Sequence, residues 1–424
     1  VRAAERLDES FADDPLTRAE LSEFIGWTLV RLEEYEQARP LVRFAAETRL
    51  RLQGPDHSDT IRACLRLAEF CDYAGPTPDS TKYYRLAMES CDRNFGLFDP
   101  RTLRVQRMLA NNLASIRLDG GLATTLLEER LALAREAGRS DHPDTLVHEG
   151  YTGMLLCLTG RPQRGEPLVA HAVARARATL PPDDIYLATI EEFYGRGLAR
   201  ENPPQPEAQR CLAHAAQVYS RYFGPMTMQT LNARMADAGM LERLSKHSEA
   251  RPIFEDVLKG FERLQGTWSD EANYVRYQLA SIDLAERKFA DAGIWAQRTI
   301  NGAWVVGHRN GAGVVNYGFV YLAAAFEGIG DTPARLALIC ESIELLKESS
   351  GTQEYPRLLE CMVARARLLL SLGRSDEAKA AAAEALAFAT LNKEWVGQRW
   401  AREAENVASE VQAAASASST APSL

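Results

Sequence analysis

The segment Gly54-Pro-Asp-His-Ser-Asp-Thr60 joins the end of one predicted helix to the start of the next. Glycine adopts the left-handed conformation that ends many helices, and proline cannot continue a helix. Asp59 or Thr60 can then accept hydrogen bonds from the first free N–H groups of the following helix. We interpret this segment as a junction between structural repeats. Related segments follow at residues 96–102, 138–145 and 224–230.

The glycines of these junctions recur at a nearly constant interval. Successive spacings are 42, 42, 86, 42, 41 and 44 residues, and the spacing of 86 covers two repeats around a junction where Leu180 replaces glycine. Such a period is typical of stacked-repeat proteins, in which each repeat buries its apolar face only against its neighbours. It favours a binding surface over a catalytic pocket. The glycines are Gly54, Gly96, Gly138, Gly224, Gly266, Gly307 and Gly351.

Small residues predict that each repeat is a pair of packed helices. One series of alanines recurs every 42 residues at Ala208, Ala250, Ala292 and Ala334, and Ala38 and Ala378 fit it to within two residues. Eleven or twelve residues before this position stands another small residue, directly after a large apolar one, which lets two helices approach closely. These pairs are Ile25-Gly26, Leu67-Ala68, Leu109-Ala110, Leu279-Ala280 and Leu322-Ala323. Three repeats depart from the pattern, at Thr152-Gly153, Tyr194-Gly195 and Asp237-Ala238.

The composition favours an acidic, all-helical protein. Hydrophobic residues make up 46% of the 424 residues and aromatic residues 8%, and helix-forming residues are abundant. The net charge of −9 argues against general binding to nucleic acid or to an anionic membrane, so we expect neither as a partner of this chain. No stretch approaches 18 uninterrupted apolar residues. Because the chain begins at Val1 and not at Met, we expect it to belong to a longer protein.

The sequence contains no recognisable catalytic or metal-binding motif. The glycine-rich segment Gly311–Gly318 lacks the Lys-Ser/Thr of a phosphate loop, and we interpret it as a helix junction. His57 and His142 recur at the same turn position, which makes them parts of the turn and not ligands of one metal. The seven cysteines are scattered, and although Cys64 and Cys91, or Cys340 and Cys361, could face each other, we expect unpaired core residues. We predict no catalytic residue, no cofactor and no metal site.

This pattern resembles tetratricopeptide repeats, in which the large–small pairs pack the two helices of a hairpin together. The 42-residue spacing and the Gly-Pro-Asp-His turn are similar to the long variety found in kinesin light chains and in many bacterial signalling proteins. The resemblance implies an all-α, right-handed α-solenoid of about nine helical hairpins over residues 1–391, with units starting near residues 19, 61, 103, 146, 188, 231, 273, 316 and 359. The sequence further predicts a capping helix at 392–411 and a disordered tail of small, polar residues at 412–424.

The resemblance also implies a binding surface. In repeats of this kind the first helix of each hairpin lines a concave face, where its outward residues contact a protein or peptide ligand. Three arginines on neighbouring hairpins suit an acidic peptide or a terminal carboxylate, and three tyrosines suit an aromatic hot spot. Carried over position by position, the predicted contact residues are Trp27, Arg31, Arg62, Tyr73, Arg104, Arg107, Asn111, Asn232, Arg243, Tyr274, Tyr277 and Tyr317.

The opening residues Ala3–Leu21 and the hairpin around Gly54-Pro-Asp-His57 are similar to the repeat region of certain large bacterial serine/threonine kinases. This implies a protein- or peptide-binding scaffold or sensor region of a bacterial signalling protein, without catalysis of its own. The alternative is the regulatory repeat arm of a caspase-like protease or a transcription regulator. An enzyme with an unrecognised site is less favoured, because an open groove excludes water poorly. We expect a cytoplasmic location, or an extracytoplasmic one if a membrane-spanning kinase precedes the repeats.

Overall fold

The structure, a computed structural model, consists of α-helices joined by short turns. It describes residue 11 and residues 13–31, 35–73, 78–117, 121–200, 203–306, 312–330, 332–348 and 355–419. Within these ranges there is no strand, and the predicted all-α repeat fold is confirmed. The sequence predicted one array over residues 1–391, whereas the chain divides into two compact units, Val1–Ala250 and Arg251–Leu424.

The first unit contains five helical hairpins and one further helix in its described residues. In each hairpin an odd-numbered helix packs against the even-numbered helix that follows it. A short 3-10 turn, Leu198–Arg200, follows α9. The helices are α1 (Pro15–Arg31), α2 (Tyr35–Gln53), α3 (Ser58–Tyr73), α4 (Pro78–Phe95), α5 (Pro100–Arg117), α6 (Gly121–Glu136), α7 (Pro143–Leu158), α8 (Pro162–Thr179), α9 (Ile185–Gly197), α10 (Pro206–Phe223) and α11 (Met228–Arg243).

The second unit contains one opening helix, three hairpins and a final helix in its described residues. Its first helix, α12, begins at the unit boundary, and the final helix packs against both helices of the hairpin before it. The helices are α12 (His247–Gln265), α13 (Asp270–Ala285), α14 (Phe289–Val306), α15 (Ala312–Ile329), α16 (Thr332–Glu348), α17 (Tyr355–Ser371), α18 (Ser375–Leu391) and α19 (Lys393–Ser419).

The junction glycines adopt the conformation that the sequence predicted for them. Gly54, Gly96, Gly138, Gly224 and Gly266 have φ angles of 79°, 87°, 66°, 95° and 96°. A side chain at such a φ is disfavoured, so glycine is the residue that ends these helices most easily. The leucine that replaces glycine after α8 takes an extended conformation instead, with φ −110°. Gly307, Gly351 and Gly311 lie outside the described residues.

Histidine, and not the predicted Asp59 or Thr60, caps the helix after two of these junctions. The Nδ1 atom of His57 accepts a hydrogen bond from the Asp59 N–H at 3.2 Å, and His142 accepts one from the Asp144 N–H at 3.4 Å. Both helices begin earlier than expected, so Asp59 and Thr60 lie inside the first turn of α3. The recurrence of histidine at this turn therefore has a local structural cause.

Two pairs of helices approach closely where the large–small pattern departs from the rule. In the α7/α8 hairpin, a Cβ atom added at Gly153 would lie 2.7 Å from the Gly165 carbonyl oxygen and 2.7 Å from the Val169 nitrogen. A Cβ atom at Gly195 of α9 would lie 2.9 Å from the Ala208 carbonyl oxygen. These repeats keep the small residue of the pattern, but Thr152 or Tyr194 replaces the large aliphatic residue before it. The hairpins therefore form in spite of the unusual sequence.

The final helix is longer than the predicted capping helix at 392–411. It runs to Ser419, and buried Val396, Ala404, Val407 and Val411 pack into the last core cluster of the second unit. The prediction of a disordered tail is therefore wrong for residues 412–419. Alanine has the highest helix propensity of all residues, which explains why this alanine-rich segment continues the helix.

Two glycines in α7 provide a matched test of helix approach. We expect Gly153→Ala to destabilise the protein by about 1–3 kcal/mol, because the new methyl group meets backbone atoms of α8 that cannot move aside. Gly150→Ala, three residues away, would place its methyl group at ordinary contact distances of 3.5–3.8 Å. It should leave stability unchanged or raise it by up to about 1 kcal/mol through helix propensity. Urea unfolding followed by circular dichroism measures both, and equal effects would contradict this account.

Candidate functional site

Two grooves lie among the odd-numbered helices of the first unit. The α3–α5 groove, named for the helices that form most of its walls, has a volume of about 520 Å³. The central groove has a volume of about 590 Å³ and takes side chains from α5, α7, α9 and α11 and from the end of α10. Arg104 of α5 lines both grooves. Both grooves thus take most of their lining from the first helices of the hairpins.

The α3–α5 groove carries positive side chains that already have partners. The Arg62 guanidinium lies 3.3 Å from a Glu23 carboxylate oxygen and 2.7 Å from an Asp59 oxygen. The Arg66 guanidinium lies 4.6 Å from the centre of the half-buried Trp27 ring. The charge of Arg62 is therefore compensated within the protein, which separates it from the other two predicted arginines.

The polar network of the central groove is centred on Glu192 of α9. Its carboxylate forms an ion pair with Arg196 at 2.7 Å and accepts a hydrogen bond from the Tyr219 hydroxyl at 2.9 Å. Arg196 also donates to the Asn232 carbonyl oxygen at 3.3 Å. Burial and the nearby Glu192 raise the pKa of Tyr219 above its ordinary value. These groups fix each other's positions and leave little unpaired charge.

Three apolar side chains also line the central groove. Met154 of α7, half-buried Phe193 of α9 and Phe223 at the end of α10 line it. Phe223 is 40% exposed and stacks edge-on with Tyr222, which is 67% exposed, at a ring separation of 4.9 Å. Large exposed aromatic rings beside a groove are a common feature of protein interfaces.

Arg104 and Arg107 of α5 differ from the other charged groups of the groove. Arg104 is exposed and Arg107 is half-buried. Neither forms an ion pair within 4.0 Å with any carboxylate of the described residues. Burial lowers the pKa of Arg107, while the charge of Asp144 acts to raise it and that of Arg104 to lower it. The structure thus brings these two predicted residues and Asn232 into one groove.

Two side chains of α7, half-buried Tyr151 and buried His148, act on Arg107. The Tyr151 hydroxyl donates to the Arg107 carbonyl oxygen at 3.2 Å, and burial raises the pKa of Tyr151 to about 12. His148 is fully buried, with its Nε2 atom 3.3 Å from the Leu127 carbonyl oxygen. Burial, assisted by Arg107, lowers the pKa of His148 to about 3. Both side chains are therefore neutral at pH 7, and Nε2 of His148 is the protonated nitrogen that donates to Leu127.

The remaining predicted contact residues do not gather in these grooves. Asn111 is exposed on α5, and Arg243 of α11 donates to the Ala199 carbonyl oxygen. In the second unit Tyr274 is half-buried, whereas Tyr277 is only 9% exposed because its ring packs between Tyr274 and Tyr321. The expectation that Tyr277 faces a ligand is therefore corrected. The side chains of Arg31, Tyr73 and Tyr317 lie outside the described residues.

Sequence reasoning missed most of the α9 contribution, although a signal was present. Glu192 and Arg196 stand three residues before and one residue after the small Gly195. Arg107 and Asn111 hold the same two positions around Ala110. Applying the same two positions to the irregular repeat of α9 would have identified Glu192 and Arg196. Phe223 has no such signal, because it belongs to the end of a second helix.

Other chemistry is not evident in the described part of the chain. No three or more His, Cys, Asp or Glu side chains there are placed to hold a metal ion. All seven cysteines are free, and six of them are buried, as expected for core residues. Among the described helices, none combines the length and apolar character needed to cross a bilayer.

Comparisons with known proteins return repeat proteins of low sequence identity. No protein-family model and no curated protein matches the chain. It is similar to the apo form of the quorum sensor NprR from B. thuringiensis, at 13% identity over 85% of this chain and 99% of that one, with a TM-score of 0.48. It is also similar to BtubC from P. vanneervenii, at 17% identity over 59% of this chain and 92% of that one, with a TM-score of 0.43. A putative kinesin light chain with TPR-like repeats from Podosopora anserina gives 19% identity over 49% and 98%, with a TM-score of 0.41.

The buried His148 makes the stability of the first unit depend on pH. Its folded pKa of about 3 lies below the ordinary value of 6.5, so the unfolded chain binds a proton that the folded chain excludes. Stability from this residue is complete above pH 6.5 and is lost as the pH falls, by about 2 kcal/mol at pH 5. The His148→Gln variant keeps a hydrogen-bond donor for the Leu127 carbonyl oxygen. We expect its free energy of unfolding to fall by about 2 kcal/mol less than that of the wild type between pH 7 and pH 5. Urea unfolding at both pH values measures this difference, and identical pH slopes would contradict it.

Proposed function

We propose that the first unit binds a segment of another protein, or a peptide, in the central groove. The observation that supports this is the composition of its lining, in which α5, α7, α9 and α11 combine an apolar floor with polar groups held by a fixed network. An open groove of this kind suits an extended chain, whose side chains can reach apolar and polar partners in turn. The proposal extends to a scaffold or sensor role within a larger signalling protein.

The proposal includes no catalytic step. Glu192 is engaged by both Arg196 and Tyr219, which leaves it poorly suited to abstract a proton. His148 is held neutral beneath the groove, with a pKa of about 3 that is far from the range useful for acid–base work at pH 7. The groove therefore favours recognition over chemistry.

A bulky substitution at Gln229 tests the location of the site. Gln229 is exposed and lines the central groove from α11. Peptides selected on the full chain from a random displayed library should bind with roughly micromolar Kd, about −8 kcal/mol. Gln229→Trp should weaken them at least tenfold, because the indole fills space that the ligand needs. Fluorescence anisotropy with labelled peptides measures the change.

The matched control is Gln217→Trp on α10. Gln217 is exposed and lies outside both grooves, so the same substitution there should leave Kd unchanged. Equal weakening by both substitutions would place the ligand elsewhere or indicate nonspecific damage. Selected peptides that bind both variants as well as the wild type would remove the central groove as the site.

A further inference from the structure

Tyr151 of α7 contacts residues from two walls of the central groove. Its hydroxyl donates to the Arg107 carbonyl oxygen of α5 at 3.2 Å. Its ring packs edge-on against the ring of Phe193 on α9, with 5.5 Å between the ring centres and an interplanar angle of 73°. Arg107 and Phe193 line the groove, whereas Tyr151 does not. One side chain of the intervening helix thus connects the two walls from outside the groove.

The α9 wall is held on α7 by close packing of the two helices. A Cβ atom added at Gly150 of α7 would lie 3.5 Å from the Phe193 Cδ2 atom. A Cβ atom at Gly197 of α9 would lie 3.3 Å from the Met154 Cα atom. Small residues allow this approach. The position of the α9 wall therefore follows from contacts that do not depend on a hydrogen bond.

The α5 wall is held in a different way. Helix α7 makes more extensive contact with α9 than with α5. The side-chain amide of Gln106 on α5 donates to the Leu126 carbonyl oxygen of α6 at 2.9 Å, which fixes α5 to the second helix of its own hairpin. The Tyr151 hydroxyl joins α5 directly to α7. The separation of the α5 wall from the α9 wall therefore depends on this hydroxyl more than on close packing.

A shift of α5 would change both grooves of the first unit. Arg104 of α5 lines the α3–α5 groove and the central groove. Because α5 lies between them, its movement towards one groove narrows that groove and widens the other. The position of α5 thus sets how large a side chain each groove accepts.

We propose that Tyr151 is a positioning residue of the central groove, which holds the α5 wall at a fixed separation from the α9 wall and so limits the size of the ligand side chain between them. This inference rests on the proposed function and names a residue that determines its selectivity. A larger group in a fixed space forces its neighbours to shift, and this weakens binding. Without the hydroxyl, α5 can move aside and the penalty falls.

The size limit is tested with Tyr151→Phe, which removes the hydroxyl and keeps the ring on Phe193. A library-selected peptide that Gln229→Trp blocks is changed at each position in turn to Ala and to Trp. A position where Trp weakens binding and Ala does not is limited by space. At such a position Trp should weaken binding to the wild type about tenfold or more, and binding to Tyr151→Phe by less than about threefold. Fluorescence anisotropy with labelled peptides measures each Kd.

The matched control is Tyr84→Phe on α4. The Tyr84 hydroxyl donates to an Asp72 carboxylate oxygen at 2.7 Å, and this buried residue lines neither groove. Both variants lose one tyrosine hydrogen bond, and the loss at Tyr84 should destabilise the fold at least as much because its acceptor is a carboxylate. Tyr84→Phe should nevertheless keep the size limit of the wild type. Relaxation of the limit in both variants would show a general loosening of the fold and would overturn the inference.

Hydrogen exchange on the full chain without ligand gives a second measurement. In Tyr151→Phe the amides of α5 should exchange about threefold to tenfold faster than in the wild type, because α5 has lost a contact, whereas those of α9 should be unchanged. Equal changes in both helices, or no change in either, would contradict the positioning role.

The outcomes separate this inference from the proposed function. If no selected peptide is blocked by Gln229→Trp, the proposed function fails and the size limit fails with it. If Gln229→Trp blocks the peptides but the wild type shows no size-limited position, only the inference is wrong. The same holds if Tyr151→Phe keeps the size limit of the wild type, because Tyr151 then has a structural role alone.

Discussion

Close approach of two helix backbones at a small residue is the contact on which every hairpin depends. A Cβ atom at Gly153 would meet backbone atoms of α8, and buried Ala68, Ala110 and Ala280 hold the same position in regular repeats. Such an approach buries one face of each helix, but other apolar faces of a single hairpin remain uncovered. Those faces are covered only by the next hairpin, so the repeat spreads along the chain instead of closing into one core.

Charge complementarity adds a second repeated contact between successive hairpins. Arg135 pairs with Glu149 at 3.5 Å and Arg177 with Glu191 at 2.7 Å, in each case across 14 residues. In the second unit the same relation occurs with the signs exchanged, as Glu262 pairs with Arg276 at 2.8 Å. Both carboxylates of the first unit also meet a histidine, His171 or His214. The repeats thus share a pair of opposite charges across 14 residues. The arginine can come first or second, since both arrangements pair the two charges.

The sequence predicts the features of this fold that depend on local chemistry. A glycine with positive φ at Gly54 or Gly224 marks a helix end wherever it occurs, so the period reveals the hairpins directly. It does not predict features set by neighbours in space. Tyr277 lies at an expected surface position, yet Tyr274 and Tyr321 enclose its ring. Arg62 and Arg107 look equivalent in the sequence, and only the structure shows that Arg62 has an ion pair with Glu23 whereas Arg107 has none within 4.0 Å.

The lack of an ion pair at Arg107 follows from how a repeat satisfies its polar groups. Charged residues on these helices pair within one turn, as Glu192 and Arg196 do, or with the adjoining hairpin, as Arg135 and Glu149 do. On α5 the residue one turn from Arg107 is another arginine, and the facing helix α7 presents Met154 to the groove. Neither route gives Arg107 an ion pair within 4.0 Å in the described part of the chain, although Asp144 acts on it from a greater distance.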